Sequence, residues 1–476
     1  MTSYRKLNWR LIICYVALII FGWLNIYAST YTEETASIFS LANKGGVQLM
    51  WMGIGALTAI AILFIINPKA YSTLSLPFYI LITLLLVAVL IIGKEVNGAK
   101  AWIGVGSLGI QPSEFSKIAT ALLLSSVMSR HNFKMSNPRE FLKAAIVVLI
   151  PVFFIALQPD VGTILVYFSL IFVFYREGLS GWFLCWIGIA ILLFLVTLKF
   201  SPFVSMIVTV AIIGIMRTTF TRRPLRMMLK YLVFIIAASF IPMILRQPAI
   251  SEHNPLEAHI WLLIIMIVPI IITCRKEFQR KNKYFLPVLT SLVISIIIIF
   301  SVDFIFDNIL QSHHRDRIEN LLGISEDLKG AGYNVNQSRI AIGSGGLAGK
   351  GFLNGTQTKF NFVPEQSTDF IFCTIGEEWG FVGSFIVIAI FFTMIFTIIH
   401  SAERQKDKFT RIFGYCIASY LFMHVFVNIG MTIGIMPVVG IPLPLISYGG
   451  SSFLGFSILL FTFLRIDADR ETKGKA

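Results

Sequence analysis

The sequence predicts an all-α, polytopic membrane helix bundle, and three observations support this. Apolar residues make up 56% of the chain, with 42 Phe, whereas Asp, Glu, Lys and Arg together make up 13%, about half the share of a soluble domain. Apolar runs of about 20 residues, the length that crosses a hydrocarbon core, recur along the whole chain. The net charge of +14 is unevenly distributed: about 27 of the 39 Lys and Arg fall in segments that one topology places on a single side. That asymmetry explains the basic balance without a nucleic-acid partner.

Spans are expected near 9–28, 48–66, 75–93, 113–129, 141–158, 161–176, 181–199, 202–219, 228–246, 259–274, 285–306, 376–399, 411–435 and 446–464. They make about 14 helices, with both termini on the cytoplasmic side. Arg5, Lys6 and Arg10 precede an apolar run to Tyr27 that is long for a leader, so it is read as an uncleaved first helix. The loops with Arg130 and Lys134, Arg217 to Arg226, Arg275 to Lys283, Arg404 to Arg411 and the tail from Arg465 then lie inside. Residues 307–375 form a large loop outside. The five cysteines are scattered without disulfide or metal spacing, and the seven histidines form no metal motif.

Between these spans lie polar segments that an apolar core does not explain. Lys94 to Lys117 is too short and glycine-rich to cross, which suits an outer loop or re-entrant segment with Trp102 at the interface. Pro112, Ser113 and Glu114 open a helix, with Ser113 placed to cap it. Lys117 stands at i+3 from Glu114, so the two charges share a face. Ionisable groups within a membrane helix cost about 2.5 to 3.5 kcal/mol each, so the pair is either functional or a structural ion pair. Asp160, beside Pro159, is either a helix cap in a short turn or a site residue.

The stretch Ser338 to Gly380 is the longest that cannot be read as apolar. His313 and His314, Arg315 and Arg317, then Arg339, Lys350 and Lys359, surround the glycines of Gly343 to Gly351. Glycine-rich backbone and basic side chains suit an anionic ligand, although Gly351 after Lys350 excludes a Walker A loop. Asp369 is expected at the head of a membrane helix, as a cap or as a reactive carboxylate. Glu377 and Glu378 follow, at an interface or facing a cavity. His424 and Asn428 share one helix face, and the proline- and glycine-rich run to Ser452 is expected to be broken backbone that faces protein.

Together these segments resemble the SEDS family (shape, elongation, division and sporulation). QPSE with Lys117, QPDVGT, AIGSGGLAGKG, GTQ, PEQSTDFIF, GEEWG, VNIGM and GIPLPLISYGGSS occur in that family's order between Trp102 and Ser452. GKG followed by GTQ resembles the RodA branch of cell elongation. The resemblance implies a peptidoglycan glycosyltransferase that polymerises lipid II outside the cytoplasmic membrane, working with a class B penicillin-binding protein as transpeptidase and with the elongation machinery. It implies a ten-span core, so residues 201–283 read as inserted helices. It places Asp369 on the catalytic carboxylate, with Trp102, Glu114, Lys117, Asp160 and Lys350 on other motif positions. Gln366 and Ser367 stand where the family often has Arg and His, and the loop segment has His313 and His314 near the position where the family often opens with a glutamine.

On that resemblance Asp369 is the base, Lys350, Arg339, Arg315 and Arg317 are candidates for the pyrophosphate, and Trp102 is a further candidate for substrate. Glu114, Lys117, Asp160 and Glu377 are expected to be structural or regulatory charges. A divalent cation could share the pyrophosphate role, although spacing shows no ligand set. The rival classes are a lipid II flippase, working through Glu114 and Lys117, and a scaffold that only recruits the transpeptidase.

Overall fold

The structure is a computed structural model. It describes residues 7–31, 43–96, 99–104, 109–219, 224–241, 244, 260–261, 263–265, 285–309, 312–324, 331–360 and 362–469. The chain divides into two compact units, residues 1–179 with 327–476, and residues 180–326.

The first unit opens with α1 (Trp9–Thr30), α2 (Lys44–Phe64), a short α3 (Pro68–Thr73) and α4 (Ser75–Ile92). A hairpin of β1 (Lys94–Val96) and β2 (Ala99–Trp102) follows, pairing Lys94 with Trp102 and Val96 with Ala99. The expected outer loop is thus partly a strand pair, whose period-2 signal is too short to read beside the apolar runs. Then come α5 (Pro112–Met128), α6 (Pro138–Ala156), α7 (Val161–Phe168) and α8 (Leu170–Arg176). Asn67 and Asn137 each stand before a proline at the first helical position and accept from the backbone N–H two residues on, the arrangement expected of Asn-Pro at a helix start. The single span expected near 161–176 is two helices that meet at Ser169, whose hydroxyl turns back to Val166 O at 2.6 Å.

After the second unit the chain returns with α14 (Ala331–Ser344), α15 (Thr356–Lys359), α16 (Ile371–Glu403), α17 (Lys408–Thr432) and α18 (Gly450–Ala468). Helix α16 starts earlier than the expected span, and Glu377 and Glu378 are buried within it. It is interrupted at Gly380 (φ 64, ψ −160). The segment 433–449 between α17 and α18 is irregular, as its prolines and glycines require.

Seven described helices are long and apolar enough to cross a membrane. The chain is an integral membrane protein. Burial separates central from peripheral helices: 78% of the apolar window of α18 and 72% of that of α17 are buried, against 28% for α4. Helices α1, α2, α5, α16, α17 and α18 share one core containing Leu11, Leu18, Leu124, Phe391, Phe413 and Phe463. Two serine hydroxyls inside that core bond backward along their own helices, Ser125 to Ala121 O at 2.6 Å and Ser457 to Phe453 O at 2.7 Å. This satisfies polar groups that no water reaches.

The second unit holds α9 (Gly181–Lys199), α10 (Pro202–Thr219), α11 (Pro224–Ser239), α12 (Phe285–Phe304), a π-helical turn (Ile305–Ile309) and α13 (Ser312–Leu322). Its core includes Met206, Val210, Leu292 and Ile299. It contains the segment 201–283 read as inserted. Most of the expected span 259–274 and the basic cluster 275–283 lie outside the described residues. The loop expected over 307–375 contains α13, α14 and α15. Their polar composition conceals them from an apolar-period reading.

Candidate active site

The glycine loop is not an open cradle. Lys350 N donates to Glu377 O and Gly351 N to Glu378 O, both at 3.0 Å, while Phe381 N and Val382 N donate back to Gly346 O and Leu347 O. The loop therefore closes on the break in α16, where the Lys350 and Gly351 N–H groups are spent on protein carbonyls. Only glycine allows the approach: a Cβ at Gly349 (φ +80) would lie 2.1 Å from Glu378 O, and one at Gly345 would lie 2.0 Å from Gly376 O. Gly349→Ala is expected to pull the loop off α16 and cost about 1–3 kcal/mol in strain alone. A lower melting temperature of the purified variant and faster proteolysis near 345–355 would show this, and a parent-like melting curve would contradict it.

Lys350 serves the same closure. Its ammonium donates to Glu377 Oε1 and to Thr356 Oγ1, each at 2.7 Å. Glu377 is fully buried. It also accepts from Gln357 N and Thr358 N at 2.9 Å and from Thr358 Oγ1 at 2.7 Å. The Lys350 charge is neutralised inside the loop, and Glu377 knots α15 to α16. Beside it, Glu378 is buried with Oε2 lacking a hydrogen-bond partner among the described residues.

Asp369 lies in the turn that precedes α16, half-buried, and the cap position itself is Phe370. The main chain of this turn is held at three successive carbonyls. Tyr448 N donates to Ser367 O at 2.9 Å. Ser447 Oγ donates to Thr368 O at 2.6 Å. Asn428 Nδ2 donates to Asp369 O at 2.8 Å. The irregular segment comes close on the carboxylate side: a Cβ at Gly440 (φ +68) would lie 3.4 Å from Asp369 Oδ2. Gln366 is buried, and its amide donates to Ser29 O and Thr358 O. It ties the turn to α1 and α15.

Glu114 and Lys117 pair at 2.8 Å with side chains 4% and 1% exposed. Lys117 Nζ also reaches His424 Nε2 at 2.9 Å and lies over the Phe456 ring at 5.0 Å. An ammonium only donates and a carbonyl only accepts, so His424 accepts at Nε2 and donates from Nδ1 to Pro442 O at 3.1 Å. The expected i,i+3 pair is thus present, and it carries a bond from α5 through α17 to the segment beside Asp369. Ser113 does not cap α5: the cap position is Gln111, and the Ser113 hydroxyl is buried without a partner among the described residues. Asp160 caps α7 by accepting from Thr163 N at 2.9 Å, and it also accepts from Gln111 Nε2 at 3.0 Å.

Trp102 is half-buried on β2. Arg339 is exposed on α14, with its stem near Gly434, and makes no ion pair among the described residues. Arg315 and Arg317 lie on α13 in the second unit, the Arg315 guanidinium over the Phe306 ring at 5.7 Å. Among the described residues no three His, Cys, Asp or Glu side chains converge as metal ligands.

Sequence reasoning missed Lys44. It is exposed at the first position of α2, donates to Ser367 Oγ at 2.9 Å, and lies 5.7 Å from the Tyr448 ring centre. A cation at a helix N-terminus is electrostatically unfavourable, which was the one signal in the sequence that it serves something other than its own helix.

A membrane bundle with a carboxylate in a braced turn is the class these observations define, and comparison with known proteins gives the family. The profile of the FtsW/RodA/SpoVE family of cell cycle proteins matches residues 8–218 and 203–472. The chain belongs to this family. It is 30% identical to the peptidoglycan glycosyltransferase RodA of Treponema pallidum over 466 residues, 97% of each chain. It is 32% identical to the peptidoglycan glycosyltransferase MrdB of Escherichia coli over 400 residues, 83% of this chain and 79% of that one. The fold matches the rod shape determining protein RodA of Thermus thermophilus with a TM-score of 0.56 at 20% identity, over 98% of this chain and 99% of that one. A chain of a peptidoglycan synthase complex, solved to explain coordination of polymerization and crosslinking, matches with a TM-score of 0.59 at 21% identity, over 98% of both.

Proposed function

We infer that the chain is a peptidoglycan glycosyltransferase of the RodA branch, polymerising lipid II into glycan strands during cell elongation. The observation that carries the assignment to this site is Asp369, half-buried in a turn whose carbonyls are held from Ser367 to Asp369. In the reaction the sugar 4-hydroxyl of one lipid II attacks the anomeric carbon of another chain with inversion. The new glycosidic C–O bond forms as the bond to pyrophosphate breaks, and undecaprenyl pyrophosphate leaves. The hydroxyl proton passes to the Asp369 carboxylate. Such a base contributes about 10²- to 10⁴-fold. The leaving group needs only charge stabilisation and alignment. Lys44 and Arg339 are exposed cations in the same unit as Asp369, whereas Lys350 is held by Glu377.

The distribution of Lys and Arg supports a cytoplasmic-membrane protein with both termini inside and residues 307–375 outside. A class B penicillin-binding transpeptidase is the expected partner, in line with the solved synthase complex. A flippase would show Glu114 and Lys117 to a passing headgroup. Here they are closed on each other and on His424, which favours the polymerase.

The test is purified protein given lipid II in detergent, with and without its transpeptidase. Glycan strands are expected in both cases, and cross-linked strands only when the transpeptidase is present. Absence of strands in both would return the scaffold reading, and cross-linking by the chain alone would overturn the division of labour.

A further inference from the structure

We propose that Asn428 is a positioning residue that sets the place of Asp369, an inference that rests on the reading of Asp369 as the base. Asn428 lies on α17 and is fully buried. Its Nδ2 donates to two main-chain carbonyls, Asp369 O at 2.8 Å and Ile441 O at 2.7 Å. Both partners only accept, so the amide can point only one way. Its other end, Oδ1, is buried with no hydrogen-bond partner among the described residues. A side chain kept for packing alone would not leave a buried acceptor unpaired, because that forfeits its hydration without return. Two donors from one atom explain the choice. They tie the turn carrying Asp369 to the segment carrying Gly440, where an added Cβ would lie 3.4 Å from Asp369 Oδ2.

One helical turn earlier, His424 does the same for Pro442 O, and Lys117 fixes that ring in turn. Helix α17 therefore grips two successive carbonyls, Ile441 and Pro442, and through Asn428 also the carbonyl of Asp369. Alternative residues fail on chemistry: Leu has the volume and no donor, ionised Asp has only acceptors, and Ser has one proton for two carbonyls. Asn428 touches no reacting atom in this arrangement. Its effect passes through the placement of Asp369, where a displacement of about 1 Å costs on the order of 10²-fold in rate.

Steady-state polymerisation of lipid II by the full chain, with its transpeptidase, tests this. Asn428→Ala is expected to lower kcat by about 10- to 100-fold with KM for lipid II within about twofold, since uniform binding is untouched. Asn428→Gln, which keeps both donors on a longer stem, should recover part of the loss. Combined with Asp369→Asn, Asn428→Ala should add no further loss, because a residue acting only through the base has nothing left to position. Parent kcat in Asn428→Ala, a loss confined to KM, or activity falling only in proportion to the folded fraction would each overturn the proposal. If Asn428→Ala does not fold, Asn428→Ser, with one proton for two carbonyls, must show the kcat loss alone, and parent kcat there overturns it equally. Full activity in Asp369→Asn sinks the base reading and this inference together. An inactive Asp369→Asn with an unimpaired Asn428→Ala sinks only the inference.

Discussion

Asp369→Asn is expected to abolish polymerisation, by at least about 10²-fold, while the protein still folds, inserts and meets its partner. The substitution keeps the volume and removes the carboxylate proposed to take the hydroxyl proton. The turn should survive it, because its main chain is held by Tyr448 N, Ser447 Oγ and Asn428 Nδ2, and not by the Asp369 side chain alone. Asp369→Glu should recover little, since the added methylene moves the oxygen by about 1 Å. Were Asp369 only a helix cap, Asn would serve nearly as well and activity would persist. The cap position at Phe370 already counts against that. A folded Asp369→Asn protein that makes strands near the parent rate would remove the catalytic assignment.

Lys117→Met is expected to produce the largest loss of stability. It leaves Glu114, 4% exposed at its side chain, as a buried charge without its partner, and removes the donor that His424 accepts at Nε2. Breaking a buried pair in this way costs about 3–5 kcal/mol. The loss should appear as a sharply lower melting temperature in detergent and a poorer yield of monodisperse protein. The double variant Glu114→Met with Lys117→Met should recover much of it, because removing both charges avoids the uncompensated one. A Lys117→Met protein as stable as the parent would mean that the pair does not hold the bundle. A double variant that is stable yet inactive would instead assign the network to keeping Pro442, and with it the segment beside Asp369, in place.

The Glu114–Lys117 pair was visible in the sequence, yet its third member was not. Glu114 and Lys117 stood out because ionisable groups are costly in a membrane helix, and their i,i+3 spacing already brought them together. His424 is 307 positions from Lys117, and no periodicity links residues that distant. Lys350 shows the same dependence on a distant partner. Its glycine neighbours and basic charge suggested an anion site, and the decisive fact is the buried carboxylate of Glu377, 27 residues away, which takes that charge.

The sequence by itself determined the membrane class, most helix positions and the short-range pairs, because apolar length, helical spacing and capping are local properties read within a turn or two. It also placed Asp369 before a helix and His424 and Asn428 on one face. Only the tertiary structure decided that the glycine loop closes on the break at Gly380, that Lys44 comes to Ser367, and that Asn428 holds the carbonyl of Asp369. Those are contacts between polar groups far apart in the chain, of which the Asn428 donor is fully buried. In a medium without water each such donor must find an acceptor somewhere, but which one it finds depends on how the helices pack.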